Sequence, residues 1–143
     1  MLNIMKKYKI GYTTGVFDMF HIGHLNILKR AKEQCEHLIV GVSTDDLVMS
    51  YKHHSPIIPF DERIEIVRAC RYVDEAVAQS SMDKLKVWES LRFNAMFHGD
   101  EWKGTDLYNH YVTEFSKIGV DVIFLPHTQG ICSTDLAKKL NEK

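Results

Sequence analysis

The residues with the clearest chemical capacity are His21 and His24, three apart in the run His21-Ile22-Gly23-His24. Side chains at that spacing share one side of a helical turn. Gly23 between them leaves room for a ligand to approach the backbone. The run follows Lys9–Thr14, a short stretch of β-favouring residues, and the turn Gly15-Val16-Phe17-Asp18, so it opens a helix. Backbone N–H groups at such a start lack helical partners and hold anions well. Two imidazoles and several amides around one phosphorus can stabilise charge that builds on its non-bridging oxygens. Nucleotidyl transfer makes that demand and needs no nucleophile from the protein, because an oxygen of the acceptor's own phosphate can attack. On residue types alone, His21 could instead simply cap the helix and His24 pack against it.

A second run, His127-Thr128-Gln129-Gly130-Ile131-Cys132-Ser133-Thr134, follows the last apolar stretch. A glycine-containing turn leading to Ser-Thr at a helix start offers amides and hydroxyls to another phosphate. By itself it would be an ordinary helix cap. It joins the first run if the strand before it lies beside the first strand, bringing both helix starts onto one triphosphate.

The elements that must position these residues alternate along the chain. Strand patterns fall at Lys9–Thr14, Leu38–Val42, Val73–Ala78, Ala95–His98 and Val120–Leu125. Helical patterns fall at His21–Gln34, within 44–60, from an Asp61 cap onward, at Asp83–Leu91, Thr105–Lys117 and Ser133–Asn141. The stripe Leu107, Tyr111, Phe115 and Ile118 has core spacing. This alternation predicts an α/β fold: a Rossmann-like, doubly wound parallel sheet of about five strands with helices on both faces. Ligands of such sheets bind beyond the carboxyl ends of the strands. Gly99, Asp100 and Trp102 follow a strand there, and Lys52 lies in a polar loop between helices. Lys84 is a weaker candidate for an acceptor phosphate, because Asp83 and Lys86 mark its helix face as solvated.

The chain has 143 residues and a net charge of -1, which fits one domain over 1–143 and gives no general attraction to nucleic acid or anionic membrane. No apolar run reaches the length of a membrane span. The start of the chain lacks the order of a secretory signal, which predicts a cytoplasmic protein. The cysteines Cys35, Cys70 and Cys132 form no CxxC pair, so neither a disulfide framework nor a zinc site is expected. His53 and His54 have too few converging groups for a metal site.

Four segments carry a family resemblance: GVFDMFHIGH (15–24), RYVDEAV (71–77), HGDEW (98–102) and HTQGICST (127–134). In order and spacing they resemble motifs of the cytidylyltransferases, above all the bacterial glycerol-3-phosphate cytidylyltransferases, from about Lys9 to Leu140. The HxGH element alone is shared with adenylyltransferases and class I aminoacyl-tRNA synthetases. The resemblance implies transfer of CMP from CTP to a small phosphorylated acceptor, with glycerol 3-phosphate first and phosphocholine, phosphoethanolamine or another phospho-polyol as alternatives. An adenylyltransferase using ATP is a further alternative, and a non-catalytic nucleotide-binding module stands in a different class.

By position, the resemblance places His21, His24 and Lys52 in catalysis. It places Val16, Phe17, Asp18, Ile22, Gly23, Arg71, Gly99, Asp100, Thr128, Gly130, Ile131, Cys132, Ser133 and Thr134 around the nucleotide. Asp45, Lys84, Trp102 and His127 are left for the acceptor. Mg²⁺ is expected with the CTP phosphates, without a dedicated protein cage. A homodimer and a role in teichoic-acid or capsule precursor synthesis are also implied. Three positions depart from the pattern. His127 stands where the family usually has Arg, Val16 where it has Thr, and Tyr51-Lys52-His53-His54 carries fewer lysines than the family loop.

Overall fold

Every strand of the sheet runs parallel to its neighbours, because each is separated from the next by a helical crossover. The computed structural model describes residues 6–126. The strands are β1 (Tyr8–Gly15), β2 (Cys35–Ser43), β3 (Glu75–Gln79), β4 (Ala95–Gly99) and β5 (Asp121–Leu125). The helices are α1 (Ile22–Gln34), α2 (Asp45–Lys52), α3 (Phe60–Ala69), α4 (Lys84–Leu91) and α5 (Asp106–Ser116), with a short 3₁₀ turn at Asp100–Trp102. The strand order is β3-β2-β1-β4-β5, so the order reverses between β1 and β4 and opens a crevice at their carboxyl ends. Thr13 reinforces that junction by donating its hydroxyl to the Phe97 carbonyl at 2.7 Å.

Two apolar layers cover the sheet. On one face Leu28 and Ala31 of α1 and Ile64 and Val67 of α3 pack with Leu38, Val40, Val42, Ala95 and Phe97. On the other, Trp88 of α4 and Tyr108, Tyr111 and Phe115 of α5 pack with Tyr12, Ile39 and Met96. Burial on both faces is why β2 reads as a continuous apolar run. Helix starts are fixed by side-chain caps: Thr44 accepts from the Leu47 N–H, Asp83 from Lys86 and Thr105 from Tyr108.

Several sequence expectations need correction. Pro59, not Asp61, precedes α3, and the Pro59 ring makes no capping hydrogen bond. Asp61 lies in the first turn, where its charge complements the helix dipole. In α5 the buried stripe is Tyr108, Tyr111 and Phe115, while Leu107 and Ile118 are exposed. The strand at 121–125 pairs with β4, so β4 separates it from β1. The expectation that the first and last strands are neighbours is therefore wrong. The helix expected at Ser133–Asn141 lies outside the described residues. Among the described residues no helix is long and apolar enough to cross a membrane.

Candidate active site

The turn after β1 is held in an uncommon shape. Phe17 and Met19 both have positive φ, at 55° and 48°, which costs non-glycine residues on the order of 1 kcal/mol each. Burial of the Phe17 ring offsets that cost. Gly15 makes room for it, since a Cβ there would lie 3.0 Å from the ring. His21 then caps α1. Its Nδ1 accepts from the Gly23 N–H at 3.0 Å, and His24 Nδ1 accepts from the His21 N–H at 3.2 Å. This is a capping box built from two imidazoles.

The box has a chemical consequence. A neutral imidazole that accepts at Nδ1 carries its proton at Nε2. His24 is neutral, because burial, and then the neighbouring His21, push it down to about 4. The Phe17 and Phe20 rings, each 5.4 Å from the His24 ring, supply that burial. Capping and packing therefore coexist with function. They hold the rings at Nδ1 and turn the opposite, donating edge away from the helix backbone.

Arg63, which the sequence reading did not single out, braces this turn. Its side chain is fully buried. Nη1 donates to the carbonyls of Val16 at 2.6 Å and Ser43 at 2.8 Å, Nε to Ile58 at 2.8 Å, and Nη2 to Asp45 Oδ1 at 2.7 Å. One guanidinium thus joins the first turn, the end of β2, the start of α2 and the loop before α3. Asp18 adds a latch, accepting from the N–H groups of Ile57 at 2.8 Å and Ile58 at 2.9 Å. A signal for Arg63 existed: it sits four residues before buried Val67 and beside Ile64, on the apolar face of α3.

Lys84 overturns the expectation of a solvated face. It is 1% exposed, and burial pushes its ammonium down to about 8. Nζ donates to Thr14 Oγ1 at 3.0 Å, and that oxygen lies 3.4 Å from His98 Nε2. Thr14 and His98 stand at the carboxyl ends of β1 and β4, at the switch in strand order. No carboxylate pairs with Lys84 among the described residues. A buried cation whose acceptor is a neutral hydroxyl is only partly compensated, and an anion at the crevice would complete its pairing.

The remaining candidates fall in three groups. Val16, Phe17, Asp18, Ile22 and Gly23 belong to the turn itself, with the Val16 carbonyl taken by Arg63. Gly99 ends β4 and Asp100 follows it on the other side of the crevice, and the Trp102 ring packs 5.2 Å from Tyr108. Lys52, exposed, ends α2.

Asp45 is held by Arg63 and by the Phe60 N–H, so its carboxylate positions α3. Arg71 is not brought to the turn. It is exposed before β3, at the amino-terminal edge of the sheet, and donates to the Tyr72 hydroxyl. The acidic residues that follow it in sequence are paired with others, Asp74 with Lys32 and Glu75 with His37. His127, Thr128, Gly130, Ile131, Cys132, Ser133 and Thr134 lie outside the described residues. The chain arrives at them from Pro126, whose carbonyl is held at 2.8 Å by Arg30 of α1.

The chain is similar to known proteins over most of its length. A family model described as cytidylyltransferase-like matches residues 12–139. The glycerol-3-phosphate cytidylyltransferase of Bacillus subtilis is 30% identical over 135 residues, covering 90% of this chain and 94% of that protein. The ethanolamine-phosphate cytidylyltransferase of Dictyostelium discoideum is 35% identical over 144 residues, covering 92% of this chain and 38% of that longer protein. An FAD synthase of Thermococcus kodakarensis is 49% identical over 61 residues, 43% of this chain and 41% of that one.

Proposed function

The chain belongs to the cytidylyltransferase-like family and is a nucleotidyltransferase; on that premise we propose that it transfers CMP from CTP to a small phosphorylated alcohol and releases pyrophosphate. The observation that carries the reading is the imidazole capping box, which leaves His21 and His24 with Nε2–H donors at a helix start. In this reading these donors serve the α-phosphate of the bound nucleotide. An oxygen of the acceptor's phosphate attacks the α-phosphorus, a new P–O bond forms, and the bond to the β-phosphate bridging oxygen breaks. The two Nε2–H groups take up the charge that grows on the α-phosphate oxygens.

Lys84 holds the acceptor's phosphate, and its uncompensated ammonium at the β1–β4 crevice supports this assignment. Lys52 reaches the outer phosphates from the end of α2. Residues 127–134 complete the nucleotide site, as the family resemblance implies. Mg²⁺ would enter as the counter-ion of the triphosphate, neutralising it and easing pyrophosphate departure. The described residues do not fit a protein-held ion, since no three His, Cys, Asp or Glu side chains among them converge. Asp18 and Asp45 are engaged by backbone amides and Arg63.

Glycerol 3-phosphate is the first acceptor to test, with phosphoethanolamine next because of the Dictyostelium relative. The similarity to an FAD synthase favours a second reading, adenylyl transfer from ATP. A homodimer through the β3 edge, where Arg71 lies, and a cytoplasmic location belong to the same proposal; light scattering after size exclusion reads the former. One panel tests the function: pyrophosphate release from CTP or ATP with glycerol 3-phosphate, phosphoethanolamine and phosphocholine. Release with CTP alone supports the proposal, and release with ATP alone replaces it by adenylyl transfer. Nucleotide binding without pyrophosphate from any acceptor makes the chain a binding module.

A further inference from the structure

The hydrogen bond from Lys84 has only one possible direction. An ammonium can only donate, so Thr14 Oγ1 accepts from Nζ at 3.0 Å. The hydroxyl's own proton can then be donated to His98 Nε2, 3.4 Å away, in the tautomer that carries the ring proton at Nδ1. His98 can receive it because burial, and then the charge of Lys84, hold the imidazole well below its usual range and therefore neutral. The ring is buried in contact with Tyr108 of α5, their centroids 4.9 Å apart. Thr14 and His98 each follow the last residues paired between β1 and β4, Thr13 and Phe97, so the chain is anchored at the carboxyl ends of two adjacent strands.

From this geometry we propose that Thr14 and His98 are positioning residues that fix the Lys84 ammonium for the phosphate of the acceptor. The inference rests on the assignment of Lys84 made above. A lysine on a short helix would otherwise sample several rotamers, and the attacking oxygen would be placed loosely. The Lys84→Thr14→His98 chain locks the ammonium at the strand ends and leaves its remaining N–H groups for the incoming anion. Among the described residues no carboxylate is paired with Lys84 in that anion's place. From α4's start, the Asp83 carboxylate turns to the Lys86 N–H. From α5, the Tyr111 hydroxyl donates to the Met82 carbonyl, and Tyr108 lies against His98.

The test uses Thr14→Val, Thr14→Ser, His98→Leu, His98→Gln and Lys84→Met, each assayed with CTP and glycerol 3-phosphate. Thr14→Val keeps the shape and removes the hydroxyl, so acceptor KM should rise about tenfold, the size expected for losing a hydrogen bond to a charged group. CTP KM should stay near wild type, which separates the effect from nucleotide binding. Thr14→Ser should restore acceptor KM, and His98→Gln, which still offers an acceptor atom, should fall nearer wild type than His98→Leu.

A pH profile separates positioning from packing. Acceptor KM of the wild type should climb above pH of about 8 as Lys84 loses its proton. In Thr14→Val the climb should begin at lower pH, because the charged form has lost an acceptor. If Lys84→Met leaves acceptor KM unchanged, the assignment of Lys84 itself fails. If Lys84→Met raises it while Thr14→Val keeps wild-type KM and pH profile, the positioning role is overturned and Lys84 stands.

Discussion

His21 and His24 stack with ring centroids 3.9 Å apart and planes inclined by 21°, each accepting a backbone N–H of their shared turn at Nδ1. Structure and chemistry therefore depend on the same two atoms. The backbone fixes which nitrogen of each ring carries the proton, and the Nε2–H edges become the donors.

Substituting either histidine by alanine should lower kcat by about a hundredfold or more, the loss seen when one oxyanion donor is removed. The same change removes a helix cap, which costs about 1 kcal/mol of stability. Steady-state kinetics beside thermal melts separates the two effects: kcat should collapse in a protein that remains folded at the assay temperature.

Acid should destabilise the protein through His24. Its folded pKa, about 4, lies below the unfolded value near 6.5, so between those values the unfolded chain binds more protons. The stability from burying the neutral ring is complete above pH of about 6.5. It is lost progressively as pH falls toward 4 and totals on the order of 3 kcal/mol. Urea midpoints for wild type and His24→Gln across this range check it. The wild type should lose the larger amount, and parallel curves would remove His24 as the cause.

Arg63→Met should be among the most damaging substitutions. It strips hydrogen bonds from the carbonyls of Val16, Ser43 and Ile58 and unpairs Asp45. Each buried carbonyl left unsatisfied costs about 1–3 kcal/mol, so a loss of at least about 3 kcal/mol is expected in equilibrium unfolding. Arg71→Met, exposed at the other end of the sheet, should leave monomer stability within about 0.5 kcal/mol.

Asp18→Asn replaces one of two acceptor oxygens by an amide group facing the backbone N–H of Ile57 or Ile58. The loop that joins Lys52 to α3 should loosen. KM for CTP is expected to rise about tenfold, roughly the effect of one charge-assisted hydrogen bond, with a far-UV spectrum unchanged.

The elements were legible in the sequence because their signals are local. Thr44, Asp83 and Thr105 mark helix starts by side-chain caps, and the β2 run is apolar because both its faces are covered. The histidine pair was legible for the same reason, its spacing and preceding strand lying within one short stretch. Lys84 and Arg63 were not. A charged residue reads as solvated until the fold supplies its partners, and those partners are distant in sequence: Thr14 for Lys84, Val16 and Ser43 for Arg63. Tyr111 and Phe115 of the expected α5 stripe are buried, but Tyr108 takes the place of Leu107 on the face that packs against the sheet. Strand order was equally non-local. No residue pattern distinguishes β5 beside β1 from β5 beside β4.

The most direct test follows ³¹P NMR of CTP and glycerol 3-phosphate with Mg²⁺, using wild type and a His21→Ala/His24→Ala double variant matched in CTP affinity. In the wild type, pyrophosphate and a new CDP-ester resonance should grow in equal amounts; in the double variant both should grow more than about a hundredfold more slowly. A double variant that makes both products at the wild-type rate would contradict the assignment of the two imidazoles to the transferred phosphate.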